Sequence, residues 1–164
     1  MNKKGYYIIS ILLVFGLCIC AGCSAGQGQK YTREDLDNLA EIKIYSAEDY
    51  ELIKTISDEE QLYQYNQCML FEDSDIEERQ DELEKDLDEA KEQYDLVSYK
   101  YPVARFGGKE LEKNTTITLY ENTNIVKMTV AEESIKSLSI PEEFLTFYYE
   151  LSEEEIFFLR SLAE

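Results

Sequence analysis

Acidic side chains dominate the chemistry that this chain can offer. Its 164 residues include 35 aspartates and glutamates against 16 lysines and arginines, with no histidine and no tryptophan. Without imidazole there is no Ser-His-Asp or Cys-His pair and no histidine-ligated metal. Paired carboxylates could serve a glycosidase, but chance pairs are expected among so many acids. We therefore predict a non-catalytic protein without a cofactor, and a carboxylate-dependent surface hydrolase is the alternative.

One run of alternating acids has the spacing of a calcium-binding loop. Asp73, Asp75 and Glu77 alternate, and Glu84 stands at the twelfth position, where such loops place a bidentate ligand. Glu78 occupies the position that needs glycine for the sharp turn. A helical pattern also runs through these residues, so we favour an acidic helix start. Weak binding of a divalent cation by the four acids, in a cation-responsive module, is the alternative.

Tyrosines are the other candidate contact residues, and the chain has 13 of them. Tyr99, Tyr101 and Tyr148 lie in alternating stretches that predict strands. An open sheet face bearing tyrosines would suit a peptide or a glycan, whereas packing in the core is their more ordinary use. Because Tyr148 and Tyr149 must point to opposite faces, at most one of them shares a given surface.

The net charge of −19 at pH 7 excludes several partners. Such a surface repels phosphate backbones, so we predict no binding to nucleic acid. It also repels anionic lipid headgroups, so electrostatic attraction cannot hold the chain on a membrane. Solubility is the simplest role for this charge, and attraction to cations or to a basic partner is the other.

The N-terminus has the layout of a secretory signal. Lys3 and Lys4 precede a mostly apolar run over residues 6–20, which is followed by small and then polar residues. The run is shorter than the roughly 20 residues that a membrane-spanning helix needs. The string Cys20-Ala21-Gly22-Cys23 resembles the lipobox of bacterial lipoproteins, with Cys20 where leucine is usual.

That resemblance implies a lipid-anchored protein. In the lipoprotein family the thiol of the last lipobox cysteine receives a diacylglycerol and the chain is cut just before it, which places lipidation on Cys23. Acyl chains such as palmitate would then hold the protein at the outer face of the cell membrane. An uncleaved N-terminal anchor helix is the alternative, and it leaves the domain on the same side. Cys68 would remain as the one thiol of the mature chain, and its apolar neighbours predict a buried, inert side chain.

The rest of the chain predicts one domain. Residues 1–22 are the expected signal peptide, residues 23–31 a flexible tether, and residues 32–164 a single domain of ordinary size. The predicted elements are a short helix starting at Thr32, a hairpin over 42–45 and 52–56, a helix over about 58–71 capped by Ser57, an acidic helical segment over about 72–93, an edge strand over 97–103 containing Pro102, a hairpin over 115–121 and 125–130, a strand over 145–151 and a C-terminal helix capped by Ser152.

Two parts of the chain share a pattern. Residues 42–45, 53–56 and 59–62 resemble residues 117–120, 126–129 and 132–135 in the same order. The domain could thus contain two related strand–strand–helix units, or the likeness could be a coincidence between ordinary hairpins. Hairpins with flanking helices predict an α+β fold with an antiparallel sheet. Taken together, the sequence predicts a membrane-anchored extracytoplasmic lipoprotein that acts as a binding or accessory module, with no ligand or partner protein specified.

Overall fold

A computed structural model describes residues 31–69, 76–102, 110–135 and 140–164. Over these residues the strands form one six-stranded antiparallel sheet in the order β2-β1-β3-β4-β5-β6, with three α-helices packed against it. The elements are β1 (Leu39–Ser46), β2 (Leu52–Ile56), α1 (Glu59–Cys68), α2 (Ile76–Asp86), β3 (Glu92–Lys100), β4 (Glu112–Tyr120), β5 (Ile125–Val130), β6 (Thr146–Glu150) and α3 (Glu153–Ser161). The predicted α+β fold is confirmed.

The main core lies on the face of the sheet that α1 and α3 cover. Strand registers place Ile44, Leu96 and Ile117 side by side on this face, and all three are fully buried. Leu62 of α1 and Leu159 of α3 pack into the same cluster. The alternation of apolar and polar residues in the strands produces this face, because successive side chains of a strand point to opposite sides.

On the opposite face of the sheet, α2 packs against residues of β4, β5 and β6. Leu83 and Leu87 pack there with Tyr120 and Ile125 in a second, smaller cluster. Gln80 joins α2 to the edge strand β6: the Tyr148 N–H donates to Gln80 Oε1 at 2.8 Å, and Gln80 Nε2 donates to the Tyr148 carbonyl oxygen at 2.9 Å. The amide thereby occupies backbone groups that an edge strand would otherwise leave free for another chain.

A single row of paired residues crosses this second face. Tyr45 lies opposite Asp95, Asp95 opposite Thr118, Thr118 opposite Lys127, and Lys127 opposite Tyr148. We refer to this arrangement as the central row. It brings together residues that are far apart in the sequence.

Residues 32–38 form turns and not the predicted short helix. The predicted cap is present, because the Thr32 N–H donates to Asp35 Oδ2 at 2.8 Å and the Asp35 N–H donates to Thr32 Oγ1 at 3.2 Å. Asp37 and Asn38 then adopt φ angles of 47° and 60°. Left-handed residues cannot continue a right-handed helix, so the segment stops after one turn and β1 begins at Leu39.

Two further predictions at element ends were wrong. The cap of α1 is Asp58 and not Ser57, since Asp58 Oδ1 accepts a hydrogen bond from the Gln61 N–H at 3.1 Å. Pro102 does not mark an edge strand: β3 lies between β1 and β4 and ends at Lys100, so Pro102 removes no hydrogen bond from the sheet. By contrast, the predicted capping box between Ser152 and Glu155 opens α3 as expected.

The two similar segments differ in their strand registers. Ile44 pairs with Lys54 in the first hairpin, whereas Leu119 pairs with Val126 in the second. Lys54 therefore shares a face with a core residue, while its sequence counterpart Lys127 lies on the opposite face. After β5 the chain forms a 3-10 turn over Glu132–Ser134, where the first unit has the ten-residue helix α1. The likeness in sequence is thus not an equivalence of two structural units.

Candidate binding surface

The part of the second face that α2 leaves open carries tyrosines paired with cations. Lys43 Nζ lies 4.6 Å from the centroid of the Tyr99 ring and 3.1 Å from Glu41 Oε1. The hydrogen bond to Glu41 is the main cause of the raised pKa of Lys43, and burial is the main cause of the raised pKa of Tyr99. Lys43 and Tyr99 therefore stay paired at neutral pH.

Tyr101 lies just beyond β3 and makes a similar contact. The Arg33 guanidinium carbon is 4.2 Å from the centroid of its ring, and its backbone N–H donates to the Asn38 carbonyl oxygen at 2.9 Å. Arg33 and Tyr101 thus fasten the turn before β1 to the end of β3. Tyr99 and Tyr101, two of the predicted contact residues, therefore lie close together at the end of β3.

Tyr148, the third predicted contact residue, lies on the same face but three strands away from Tyr99, about 14 Å at the usual spacing of strands. Its hydroxyl donates to Glu84 Oε1 at 3.1 Å. Burial and this hydrogen bond raise the pKa of Tyr148 to about 12. Tyr148 therefore supports the packing of α2, and the three predicted tyrosines do not form one site.

The acids of the predicted calcium loop are placed as follows. Glu84 is exposed on α2 and receives the Tyr148 hydrogen bond. Glu77 also belongs to α2, while Asp73 and Asp75 lie outside the described residues. Residues 76–84 are helical, which is the interpretation that the sequence favoured. Over the described ranges, no three histidine, cysteine or acidic side chains are grouped so as to hold a metal ion.

Of the two cysteines to which the sequence assigns a role, the structure describes Cys68. Cys23, the predicted lipidation site, lies outside the described residues. Cys68 is a free, half-buried thiol at the end of α1. Burial, reinforced by the charge of Glu155, raises the pKa of the Cys68 thiol to about 11. A thiol that is protonated at neutral pH is a poor nucleophile.

The turn between β1 and β2 holds an aromatic side chain in an unusual conformation. Tyr50 has a φ angle of 59° and its N–H donates to the Ser46 carbonyl oxygen at 3.0 Å. Positive φ is rare for a bulky residue, and such backbone strain is concentrated at functional sites. The Tyr50 side chain is 60% exposed. Its ring stacks on Tyr45, with 5.3 Å between centroids and 20° between planes.

Exposed aliphatic side chains continue this aromatic pair. A bulge in the β1–β2 register makes Leu52, and not Ile53, the partner of Tyr45. Leu52 is 53% exposed and Ile53 is 44% exposed. A bulge of this kind changes the direction of a side chain at the edge of a sheet. Tyr45, Tyr50 and Leu52 together form an apolar surface, which we call the turn patch.

A buried carboxylate adjoins the turn patch. Asp95, opposite Tyr45 in the central row, is only 9% exposed, and Thr118 Oγ1 donates to its Oδ1 at 2.7 Å. The negative charge of Asp95 adds to burial in raising the pKa of Tyr50, so the carboxylate and the phenol interact electrostatically. The same turn carries the exposed acids Glu48, Asp49 and Glu51.

The turn patch lies at the end of β1 that is remote from the start of the described domain. Tyr31 stacks on Tyr63 of α1 at 4.4 Å between centroids and donates a hydrogen bond to Glu60. From there β1 runs eight residues to the turn, a length of roughly 23 Å at the usual rise per residue.

Sequence reasoning did not single out Tyr45, Tyr50 or Asp95. Two signals were available. Tyr50 occupies a turn position where glycine or asparagine is usual, and Asp95 interrupts the apolar series Tyr94, Leu96 and Val97. Neither signal identifies a site unless the register of the strands is known.

No helix of the described residues is long and apolar enough to cross a membrane. Comparison of the chain with protein-family models, curated proteins and solved structures gives no match.

Proposed function

We propose that this protein is a lipid-anchored extracytoplasmic module that acts by binding another protein at the turn patch, without catalysis of its own. The observation that carries the proposal is the strained and exposed Tyr50, stacked on Tyr45 and continued by Leu52 at the end of the sheet remote from Tyr31. Tyrosine is common in protein contact surfaces because it provides area with little loss of conformational freedom.

The anchor rests on the sequence of the N-terminus. The apolar run and the lipobox-like Cys20-Ala21-Gly22-Cys23 support export and lipidation at Cys23, and an anchor of this kind holds a protein firmly when it has at least two acyl chains. A chain from Cys23 to Tyr31 reaches at most about 28 Å when fully extended. The module would therefore work on partners held in, or close to, the same membrane.

The anchor is tested by replacing Cys23 with serine and Cys68 with serine as the matched control. We expect a clickable palmitate analogue to label the wild-type and Cys68→Ser proteins and not Cys23→Ser. Cells should hold the wild-type protein in the membrane fraction, accessible to added protease. A full-length chain found in the cytosol with its N-terminal Met1 region intact would refute the export and the anchor.

The binding surface is tested by photo-crosslinking in living cells. A photoreactive phenylalanine analogue is placed at position 50 and, as a control, at position 157, where the Phe157 side chain is 75% exposed. We expect a discrete protein adduct from position 50 that disappears when Leu52→Asp is added. Equal adducts from both positions, or none from position 50, would contradict a binding role for the turn patch.

A further inference from the structure

Two tyrosines on the open face, Tyr99 and Tyr101, are matched with cations from the same chain. Lys43 lies over Tyr99 and Arg33 lies over Tyr101. Such contacts are stabilised by attraction between the cation and the electron-rich face of the ring. Within the described ranges, no lysine or arginine makes this contact with Tyr45 or Tyr50.

Asp95 is likewise without a cationic partner in the part of the chain described, where its one hydrogen bond comes from Thr118. A buried carboxylate is costly unless it is paired with a positive charge. The lysine of the central row cannot supply that charge, because Lys127 Nζ lies 2.8 Å from Glu92 Oε1. Attraction by Glu92 and Tyr120 outweighs the effect of burial and raises the pKa of Lys127, so this cation remains with Glu92.

The acidic turn adds to the negative potential at this place. Glu48, Asp49 and Glu51 are exposed on the same turn as Tyr50. Lys91 on the neighbouring loop pairs with Glu121, with 3.0 Å between Nζ and Oε1. Glu121 is also the main cause of the raised pKa of Lys91, to which the charge of Glu48 on the turn contributes less. A positively charged group of another molecule would therefore be attracted to the patch, over a distance set by the screening length of the solution.

We propose that Tyr45, Tyr50 and Asp95 receive a lysine or arginine side chain of the partner protein, with Leu52 and Ile53 packing against apolar residues beside it. This inference rests on the proposed function and specifies the chemistry of the partner: a cationic side chain set in an apolar surface. The phenol rings contact the stem and the cationic head, and the Asp95 carboxylate is the counter-charge of that head. A partner protein is the source we choose because the apolar neighbours extend the patch beyond the size of one small cation.

The experiment uses the lipidated chain in nanodiscs and follows the backbone amide signals of residues 45–52 by ¹⁵N NMR. The probes are acetyl-Leu-Arg-Leu-amide and its uncharged counterpart with citrulline in place of arginine. We expect saturable shifts with the arginine peptide and at least tenfold weaker binding of the citrulline peptide. Raising the salt concentration from 50 to 500 mM should weaken the binding of the arginine peptide several-fold.

Two variants locate the charge. Asp95→Asn keeps an oxygen that can accept the Thr118 hydrogen bond. We expect this variant to bind the arginine peptide at least fivefold more weakly and the citrulline peptide with unchanged affinity. Glu48→Gln and Glu51→Gln together provide a second measurement in a chain whose core is untouched, and we expect a smaller, salt-sensitive loss. Equal affinity for both peptides, or full affinity in Asp95→Asn and in the double variant, would overturn the proposal.

A free cation is distinguished from a protein side chain by a third probe, propylammonium chloride. We expect it to bind at least tenfold more weakly than the arginine peptide, and tighter binding would overturn the assignment to a protein. The crosslink from position 50 separates this inference from the proposed function. An adduct that persists in Asp95→Asn alongside unchanged peptide binding would refute the cation site and leave the binding module intact.

Discussion

Replacing Gln80 by alanine tests how α2 is held against the edge of the sheet. The Gln80 side chain exchanges two hydrogen bonds with the Tyr148 backbone, at 2.8 and 2.9 Å, in a partly buried position. Each such bond contributes about 1 kcal/mol net, and more when its partner is left unsatisfied in a buried place. Because β6 is an edge strand, water can reach the freed groups, and we use the lower figure.

The expected loss is therefore about 2 kcal/mol, reduced by a few tenths because alanine favours a helix more than glutamine does. For a domain of this size a loss near 1.7 kcal/mol corresponds to a fall of about 5 °C in Tm. The matched control is Gln64→Ala, in which an exposed glutamine of α1 is replaced. We expect the control to change the stability by less than about 0.5 kcal/mol.

The assay is urea unfolding of the full chain together with native-state hydrogen exchange. Exchange at the Tyr148 amide should accelerate about tenfold or more in Gln80→Ala and stay unchanged in Gln64→Ala. If the Tyr148 amide keeps its protection and both variants unfold at the same urea concentration, the two Gln80 hydrogen bonds do not hold α2 on β6.

Two further predictions follow from buried ionisable groups. Burial raises the pKa of the Tyr65 phenol to about 12, and its hydroxyl is buried without a hydrogen-bond partner among the described residues. The unfolded chain therefore releases this proton first, and stability falls between about pH 10 and 12. We expect Tyr65→Phe to remove roughly 2–3 kcal/mol of that fall in denaturant titrations; parallel pH profiles of the wild-type and variant chains would contradict the assignment. The Cys68 thiol has its pKa raised to about 11, so iodoacetamide at pH 8 should label it about 100-fold more slowly in the native chain than in urea. Similar rates, measured by mass spectrometry of the Cys68 peptide, would show that the thiol is neither buried nor suppressed.

The elements that the sequence predicted best are those with a strong local signal. The hairpin strands and the C-terminal helix follow from alternation and from the Ser152 capping box. The errors lie where one or two residues decide the outcome. Thr32 and Asp35 do form a cap, but Asp37 and Asn38 enter the left-handed region and end the helix after one turn. Pro102 lies beyond the end of β3, because this strand spans Glu92–Lys100, whereas the alternating residues predicted a strand over 97–103.

The acidic helical segment illustrates a limit of periodicity. Leu83, Leu87 and Ala90 follow one another at helical spacings in the sequence, and all three pack in the second cluster. The same spacing continues to Tyr94, which belongs to β3 and faces the main core. The helix ends at Asp86, and a repeat of three and four residues does not show where a strand replaces it. The alternation predicted a strand only from residue 97, so Asp95 was not expected inside a sheet, where a carboxylate requires a partner.

The candidate site depends on pairings that no local pattern contains. Tyr45 meets Asp95 because β1 and β3 are neighbours although β2, α1 and α2 lie between them in the chain. Leu52 joins Tyr45 only because a bulge shifts the register by one residue, and without that shift Ile53 would take its place. A one-residue slip moves a side chain to the other face of a sheet. The composition of the patch is thus set by register: the bulge selects which aliphatic residue of β2 lies beside Tyr45, and the separate pairing of β1 with β3 places Tyr45 next to the Asp95 carboxylate.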